Sequence, residues 1–186
     1  PGFALAQSPN VVLIIADDLG YGDVGAYGAT DIATPSIDSL AAEGVRLNAF
    51  YTSPSCALSR SMLMTGSYAP RLSGGRNYTP SSPFGIHEDE ITLAEMFRSA
   101  GYATGIFGKW HLGHGADHDP SGFDRWRLLP GQGHYWNPVF VDSERGIDEV
   151  GGYVTDLITD DCLDWLEHRD PDRPFALFCH HKAPHR

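Results

Sequence analysis

Four apolar runs along the chain have the composition of β-strands. The run NVVLIIA, residues 10–16, is continuous and rich in β-branched residues, which is typical of a strand buried on both faces of a parallel sheet. The runs YATGIFG, residues 102–108, and PFALFCH, residues 174–180, have the same character. The run VRLNAFYTS, residues 45–53, is predicted to form a further strand. Buried strands are therefore expected over the whole length of the chain.

Helix boundary residues and helical spacing of apolar side chains predict four helices between these runs. Pro35 after Thr34 is a common helix start, and Thr92 with Glu95 forms the pattern of a capping box. The four helices begin at Pro35, at Cys56, after Thr92 and at Val154, and the first three end at Gly44, Gly66 and Gly101. The fourth is an amphipathic helix that extends to Leu166.

Two segments lack a hydrophobic period. Residues 71–86 are rich in Ser, Gly and Pro and are predicted to form a long loop. Residues 109–137 combine Gly, His and Pro with many aromatic side chains. We expect this second segment to be an extended surface region suited to a site.

The order of the predicted elements determines the fold class. Strands that alternate with helices indicate an α/β fold, with a mixed, largely parallel sheet flanked by helices. Ligands of such sheets bind at the carboxyl ends of the strands. Polar residues follow three of the predicted strands there: Asp17 and Asp18, then Lys109 to His111, then His180 to His185. These three groups are therefore expected to converge.

Charge excludes two classes of partner. The 186 residues contain 24 acidic and 13 basic side chains, and the net charge is −11. A chain this acidic is unsuited to the phosphate backbone of a nucleic acid or to an anionic membrane surface. No apolar run approaches the roughly 20 residues of a membrane-spanning helix. An anionic ligand would need a local cluster of positive charge.

The first residues and the cysteines concern the cellular compartment. Ala4, Leu5 and Ala6 match the small-x-small end of a secretory signal, so residues 1–9 are interpreted as the remnant of a signal peptide and a linker. The protein is therefore predicted to be periplasmic or secreted. Its three scattered cysteines, Cys56, Cys162 and Cys179, cannot make a disulfide framework, and at least one thiol stays unpaired.

Two local patterns suggest chemistry. Asp17 and Asp18 offer hard oxygen ligands suited to Ca²⁺ or Mg²⁺, although DDLG is also ordinary turn chemistry. Cys56 lies at a predicted helix start, where backbone N–H groups favour a negative group, and Arg60 lies one turn further on. The alternative for this second pattern is a buried cysteine beside a surface arginine.

Taken together and in order, five segments resemble the motifs of the type I sulfatases, which belong to the alkaline phosphatase superfamily. The segments are NVVLIIADDLGYGDVGAYG, TPSIDSLAAEGVRLNAFYT, CALSRSMLMTG, GYATGIFGKWHLG and KAPH. A weaker resemblance links LPGQGHYWNP and GGYVTDLITD to the branch that removes 6-sulfate from N-acetylglucosamine. The resemblance implies an alkaline-phosphatase-like fold and the hydrolysis of sulfate esters.

The resemblance also implies a modified nucleophile. In this family a sulfatase-maturating enzyme oxidises the cysteine of the signature, here Cys56, to formylglycine, and the hydrated aldehyde attacks sulfur. Its second hydroxyl then expels sulfate and restores the aldehyde. Asp17, Asp18 and the modified Cys56 would hold the cation, which is expected to be Ca²⁺ with Mg²⁺ as a possibility.

Four further residues receive roles from the same resemblance. Arg60 would orient the diol, and Lys109 would contact both the diol and a sulfate oxygen. His111 would take the proton whose loss regenerates the aldehyde. His185 would bind sulfate and assist the leaving oxygen. Together with the cation, these charged groups would offset the charge that develops on the sulfuryl group.

Two features depart from the family's pattern. The signature usually has proline two residues after the cysteine, which favours the extended form that the modifying enzyme reads, whereas this chain has Leu58. The family's later Asp/Asn metal pair and a further lysine have no counterpart up to Arg186. Residues 10–186 are therefore expected to be the N-terminal part of a sulfatase catalytic domain.

Three functions follow from these observations. The first is hydrolysis of sulfate esters on sulfated carbohydrates. The second is phosphonate or phosphodiester hydrolysis, because relatives share the nucleophile and the metal. The third is a non-catalytic glycan-binding module, which Leu58 favours and which the presence of Lys109, His111 and His185 disfavours.

Overall fold

The computed structural model describes one α/β unit built around a single sheet. The described residues are 8–73, 75–76, 78, 85–113 and 119–186. Most of the predicted signal remnant, residues 1–7, lies outside them. The predicted export of the protein therefore stays a prediction.

The sheet is mixed and largely parallel, as predicted. Within the described residues its strands are β1 (Val11–Asp17), β2 (Ala103–Lys109), β3 (Arg125–Leu129), β4 (Val139–Asp142), β5 (Gly146–Glu149) and β6 (Phe175–Pro184), in the order β1-β6-β2-β3-β4-β5. The first four strands of that order run parallel to one another, and β4 and β5 add antiparallel pairs. The three predicted strands at 10–16, 102–108 and 174–180 correspond to β1, β2 and β6.

The four predicted helices are all present. The described helices are α1 (Pro35–Glu43), α2 (Cys56–Thr65), α3 (Ala69–Ser73), α4 (Leu93–Ser99) and α5 (Val154–His168), with short 3₁₀ turns at Tyr21–Asp23 and Gly25–Tyr27. The capping box at the start of α4 is formed, because Thr92 and Glu95 exchange side chain to backbone hydrogen bonds. None of the described helices has the length and apolar composition needed to cross a membrane.

Two strand predictions at the N-terminal side of the fold are wrong. Residues 45–53 form no strand, because no neighbouring segment among the described residues pairs with them, and most of their side chains are exposed. Strand β1 is not buried on both faces, since Val12 and Ile14 are more than half exposed. β1 lies at the edge of the described sheet, and nothing described covers that face. An apolar run reports the chemistry of the side chains and not what packs against them.

The prediction of an extended surface region at 109–137 is wrong for residues 125–129, which form the largely buried strand β3. The sequence RWRLL hides this strand, since Arg125 and Arg127 occupy positions where an apolar alternation is expected. Arg127 is buried against carboxylates of other elements and lies 2.8 Å from both Asp148 and Asp161. Asp161 of α5 is therefore an ion-pair partner of this arginine.

Two apolar clusters, one on each face of the sheet, form the core. One contains Ala57 and Met64 of α2 with Ile106 and Phe178 of the sheet. The other packs α5 against the opposite face. The start of α2 is therefore fixed against the centre of the sheet, where β2 and β6 lie side by side.

Gly108 allows β2 and β6 to approach closely just before the polar end of β2. Its φ is 105°, which disfavours residues with a side chain, and a Cβ built on it would lie 2.1 Å from the carbonyl oxygen of His180. The next residue is Lys109. This glycine therefore determines where the Lys109 side chain leaves the sheet.

Gly108→Ala is expected to destabilise the protein more than Gly28→Ala, although both glycines have a φ of 105°. Left-handed backbone alone costs a residue with a Cβ about 1–2 kcal/mol. Gly28→Ala adds no clash, because nothing lies within 4 Å of the new Cβ, whereas Gly108→Ala must displace the β6 backbone. Urea unfolding of the two full-length variants measures the difference. Equal losses of unfolding free energy would contradict this account.

Candidate active site

Polar side chains meet at the carboxyl ends of the parallel strands. Asp17 is the last residue of β1, Lys109 is the last residue of β2, and α2 begins at Cys56. Between the pairs Ile15–His180 and Asp17–Pro184, β6 advances by four residues while β1 advances by two. This irregularity resembles the bulges that redirect side chains next to functional sites. The three polar groups predicted from the sequence therefore converge.

Asp17 is the charged centre of this cluster. Its side chain is 3% exposed and forms a short salt bridge with Lys109, whose side chain is fully buried. The Arg60 guanidinium lies 3.4 Å from the other carboxylate oxygen. Two buried cations thus surround one buried carboxylate. Such a group is stable only while its members stay paired, because an uncompensated buried charge costs several kcal/mol.

Cys56 and His111 form the second contact of the cluster. The Cys56 sulfur lies 3.3 Å from Nδ1 of His111. Burial, together with the positive charges of Lys109 and Arg60, lowers the pKa of His111 to about 4. The imidazole is therefore neutral at pH 7 and is able to accept a proton beside the Cys56 side chain.

Two residues of the cluster have left-handed backbone conformations. The φ angles of Asp18 and His111 are 66° and 59°. Neither residue is a glycine, and such conformations persist only where the surrounding structure enforces them. Strained backbone conformations are concentrated at functional sites, where they fix the direction of a side chain. The position of Asp18 and His111 beside Asp17 and Cys56 agrees with this.

Arg60 is held from several sides. It follows Cys56 by one turn of α2 and is 3% exposed. Its Nη1 group donates to the Lys109 carbonyl oxygen at 2.6 Å and lies 3.2 Å from Nδ1 of His180. Burial lowers the pKa of Arg60 although Asp17 counteracts it. The guanidinium therefore has one orientation, fixed by β1, β2 and β6 together.

His185 and Asp18 are on the exposed side of the cluster. Nε2 of His185 lies 3.6 Å from an oxygen of Asp18, and the Asp18 side chain is 58% exposed. The Tyr135 hydroxyl donates to the His185 carbonyl oxygen. All seven residues predicted for the site are therefore brought together in the described structure: Asp17, Asp18, Cys56, Arg60, Lys109, His111 and His185.

Sequence reasoning did not single out Gln132, and it gave no individual role to His180 and Lys182, although both belong to the run His180 to His185 that was expected to converge. Gln132 accepts a hydrogen bond from Lys109 and lies between two glycines with positive φ in the turn after β3. His180 is 1% exposed, and its Nε2 has no hydrogen-bond partner among the described residues. Lys182 is buried, and burial together with the Lys109 charge lowers its pKa. The signals in the sequence were the glycines on either side of Gln132 and, for His180 and Lys182, their position after a predicted strand.

The donors fit a divalent cation in kind but not in number. Asp17 and Asp18 provide the hard oxygens that Ca²⁺ and Mg²⁺ prefer. In the described part of the chain, however, no three His, Cys, Asp or Glu side chains gather into a metal cage. Both oxygens of Asp17 are already paired with cations. These residues alone supply a minority of the 6–8 oxygens that Ca²⁺ takes.

A cavity of about 740 Å³ opens at the cluster. Its polar wall contains Asp17, Asp18, Cys56 and Arg60, and its apolar lining includes Phe50, Pro54 and Leu63. This volume is in the range of small-molecule sites, which are about 300–1,000 Å³. The cavity therefore gives a ligand direct access to the Cys56 side chain.

Known proteins share both the sequence and the fold of this chain. N-acetylglucosamine-6-O-sulfatase of Bacteroides thetaiotaomicron is 36% identical over 184 residues, which cover 97% of this chain and 31% of the relative. A solved structure in complex with its substrate D-glucosamine-2-N,6-O-disulfate has a TM-score of 0.85 at 34% identity and covers 96% of this chain and 35% of that one. The chain thus spans about a third of the length of these relatives.

The wider superfamily shares the fold. A protein of the alkaline phosphatase superfamily from Vibrio parahaemolyticus has a TM-score of 0.53 at 21% identity, over 92% of this chain and 40% of that one. The predicted alkaline-phosphatase-like arrangement of sheet and helices is therefore confirmed. The family model described as Sulfatase matches residues 9–186. The chain belongs to the sulfatase family.

Proposed function

We propose that the protein hydrolyses sulfate esters of saccharides and that this chain carries its nucleophile and most of its sulfate-binding charges. The observation that carries the proposal is the 3.3 Å contact between the Cys56 sulfur and His111 Nδ1, next to the buried cations Arg60 and Lys109. It combines a position for a nucleophile, a neutral base and fixed positive charge, which are the components of group transfer from an anionic ester.

The proposed nucleophile is the formylglycine derived from Cys56 by a sulfatase-maturating enzyme. When present, it would supply an aldehyde hydrate that attacks sulfur and later releases sulfate. Cys56 occupies the first helical position of α2 and lines the cavity, so the modified side chain would face the ligand. The free N–H groups of that first turn favour a negatively charged group there.

Arg60 and Lys109 would hold the sulfate group. Lys109 donates to Asp17 and Gln132, which fix the position of its ammonium group. Arg60 is fixed by the Lys109 carbonyl and by Asp17. Charges that are already oriented stabilise a transition state without reorganisation, which is why such groups contribute strongly to catalysis.

Two histidines would handle protons on different sides of the sulfur. His111 is neutral and touches the Cys56 side chain, so it is suited to accept the proton released from that group. His185 lies near Asp18 on the open side of the cluster, where the leaving alcohol would depart. We therefore assign His111 to the nucleophile and His185 to sulfate binding and the leaving oxygen.

Asp17, Asp18 and the modified Cys56 would hold a divalent cation, which we propose to be Ca²⁺, with Mg²⁺ as the alternative. The cation would add positive charge on the side of the cluster that Asp18 faces. Among the described residues, the cluster offers the cation two carboxylates and no larger group of His, Cys, Asp or Glu side chains. Further ligands would have to come from outside the described residues.

The substrate class rests on the relatives. A curated relative is an N-acetylglucosamine-6-O-sulfatase, and a similar solved structure is a complex with D-glucosamine-2-N,6-O-disulfate. The segment LPGQGHYWNP, whose resemblance to the same branch came from the sequence alone, contributes Gln132 and Tyr135 to the cluster and its border. We therefore propose a sulfated amino sugar as the substrate.

Cys56 is expected to become formylglycine when the full-length protein is coexpressed with a sulfatase-maturating enzyme. Mass spectrometry of the peptide that contains Cys56 measures the replacement of the thiol by an aldehyde. Leu58→Pro should raise the converted fraction, and the folded helix tolerates proline in its first turn, where the N–H has no intrahelical acceptor. A thiol that stays unmodified in both proteins, beside a converted control sulfatase, would refute the assignment.

Asp18→Asn is expected to lower the affinity of the full-length protein for Ca²⁺ without changing its melting temperature, because the Asp18 side chain is exposed. Asp17→Asn should lower both, since it removes the partner of two buried cations. Calorimetric titration with Ca²⁺ and thermal unfolding separate the two effects. Asp23→Asn serves as the control for a carboxylate outside the cluster. Unchanged Ca²⁺ affinity in Asp18→Asn would exclude this residue as a ligand.

Lys109→Met is expected to lower kcat/KM for a sulfated saccharide by about a hundredfold or more, because it removes charge fixed at the sulfate group. Arg46→Met, at an exposed arginine, should leave kcat/KM unchanged. Assays of the matured full-length enzyme with sulfate, phosphonate and phosphodiester substrates test the reaction class at the same time. Faster turnover of a phosphodiester than of every sulfate ester would favour the alternative hydrolase function.

A further inference from the structure

Trp136 is an exposed aromatic side chain that the proposed chemistry does not use. Its side chain is 68% exposed, although its backbone forms a β-bridge with Tyr153. The Trp136 and Tyr153 rings are 5.1 Å apart, and Tyr153 stacks in turn on Tyr135, at 5.9 Å and an interplanar angle of 14°. Trp136 is thus the outer member of a three-ring group, which we call the aromatic platform (Tyr135, Trp136 and Tyr153).

Backbone hydrogen bonds hold the platform rigidly. The Asn137 N–H donates to Gly152 O at 2.9 Å, and the Gly152 N–H donates to the Asn137 side chain at 3.0 Å. The Val154 N–H, at the start of α5, donates to Tyr135 O at 2.8 Å. Two chain segments are therefore clamped together on either side of the rings. A rigid aromatic side chain loses little conformational entropy when a ligand packs on it.

The platform is connected to the active-site cluster through Tyr135. The Tyr135 hydroxyl donates to the carbonyl oxygen of His185, and the Lys182 ammonium lies 4.5 Å from the centre of the Tyr135 ring. His185 is itself 3.6 Å from Asp18. The exposed ring of Trp136 is therefore linked to the proposed sulfate site through Tyr153 and Tyr135.

We propose that the exposed face of Trp136 is a binding surface for a pyranose ring of the sulfated saccharide. This inference rests on the proposed function, because the saccharide on the platform would be the one whose sulfate group the cluster holds. The electron-rich face of an indole attracts the weakly positive C–H groups on the apolar face of a sugar, and its N–H is available to a hydroxyl group. A neutral aromatic surface also suits a ligand whose charge is concentrated at the sulfate.

The inference accounts for two features of the platform that packing alone leaves unexplained. A large aromatic side chain gains stability from burial, yet Trp136 is the outermost and most exposed ring of the group. From the His185 carbonyl outwards, the rings follow in the order Tyr135, Tyr153 and Trp136. The platform therefore leads away from the proposed catalytic centre. Ligand sites combine such apolar surfaces with a few fixed polar groups, here Lys182 and His185.

The experiment compares full-length Trp136→Ala, Trp136→Phe and a control, Tyr68→Ala, which removes an exposed aromatic ring at the start of α3. For D-glucosamine-2-N,6-O-disulfate, Trp136→Ala should raise KM about tenfold with little change in kcat, and Trp136→Phe should raise it less. Turnover of ethyl sulfate, which has no sugar ring, should be the same in all variants. If Trp136→Ala lowers kcat/KM equally for the saccharide and for ethyl sulfate, or does not lower it for the saccharide, the inference is overturned.

Binding without turnover separates this inference from the proposed function. D-Glucosamine, which carries no sulfate, should quench a tryptophan signal that is present in the wild type and absent in Trp136→Phe. In the ligand-free full-length protein, acrylamide should quench the same tryptophan fluorescence, which is present in the wild type and absent in Trp136→Phe. A protein that shows both effects but hydrolyses no sulfate ester would refute the proposed function and retain the sugar site. A Trp136 that acrylamide does not reach would refute the sugar site, because the remainder of the polypeptide would then cover it.

Discussion

The arrangement of the site depends on one buried ionic contact, between Asp17 and the cations Lys109 and Arg60. It joins the ends of β1 and β2 to the second turn of α2, so it links three elements that are far apart in the sequence. Each partner is at most 3% exposed, and none is tolerable alone. Cys56 is therefore fixed relative to the sheet by electrostatics as much as by the apolar core beneath α2. The constraint that stabilises this end of the sheet also leaves a net positive charge there.

This local charge answers the problem posed by the composition. A chain with a net charge of −11 repels anions at long range, but repulsion between exposed charges is screened beyond roughly 8–10 Å in physiological salt. Inside the cluster, where solvent is largely excluded, Lys109 and Arg60 act at short distance and with little screening. An anionic ligand that reaches the cluster is therefore affected mainly by the positive potential of Lys109 and Arg60, and not by the negative potential of the overall surface. The acidic composition restricts which macromolecules approach and leaves recognition to a few fixed groups.

Sequence patterns predicted the parts of the fold that depend on local chemistry. β2, β6, α2 and α5 were found because apolar runs and helix boundaries act within a few residues. β3 was missed because its arginines are balanced by carboxylates from β4, β5 and α5, which no local pattern reports. The strand predicted at 45–53 is not formed, because a strand needs a neighbouring segment to pair with as well as a suitable sequence. In the site, the motif residues were found, whereas Gln132 and the contact of His180 with Arg60 became visible only when the strands were assembled.

The position of Leu58 inside α2 introduces a question of timing. In the folded protein Leu58 is 9% exposed, its neighbour Ala57 is fully buried, and both are held in helical conformation against the core. An enzyme that reads this stretch in extended form has access to Cys56 only before α2 docks onto the sheet. If Cys56 is matured as proposed, modification would compete kinetically with folding. A variant that folds faster would then give more folded protein with a smaller fraction of modified Cys56. Greater stability of α2 would shorten the interval available to the modifying enzyme.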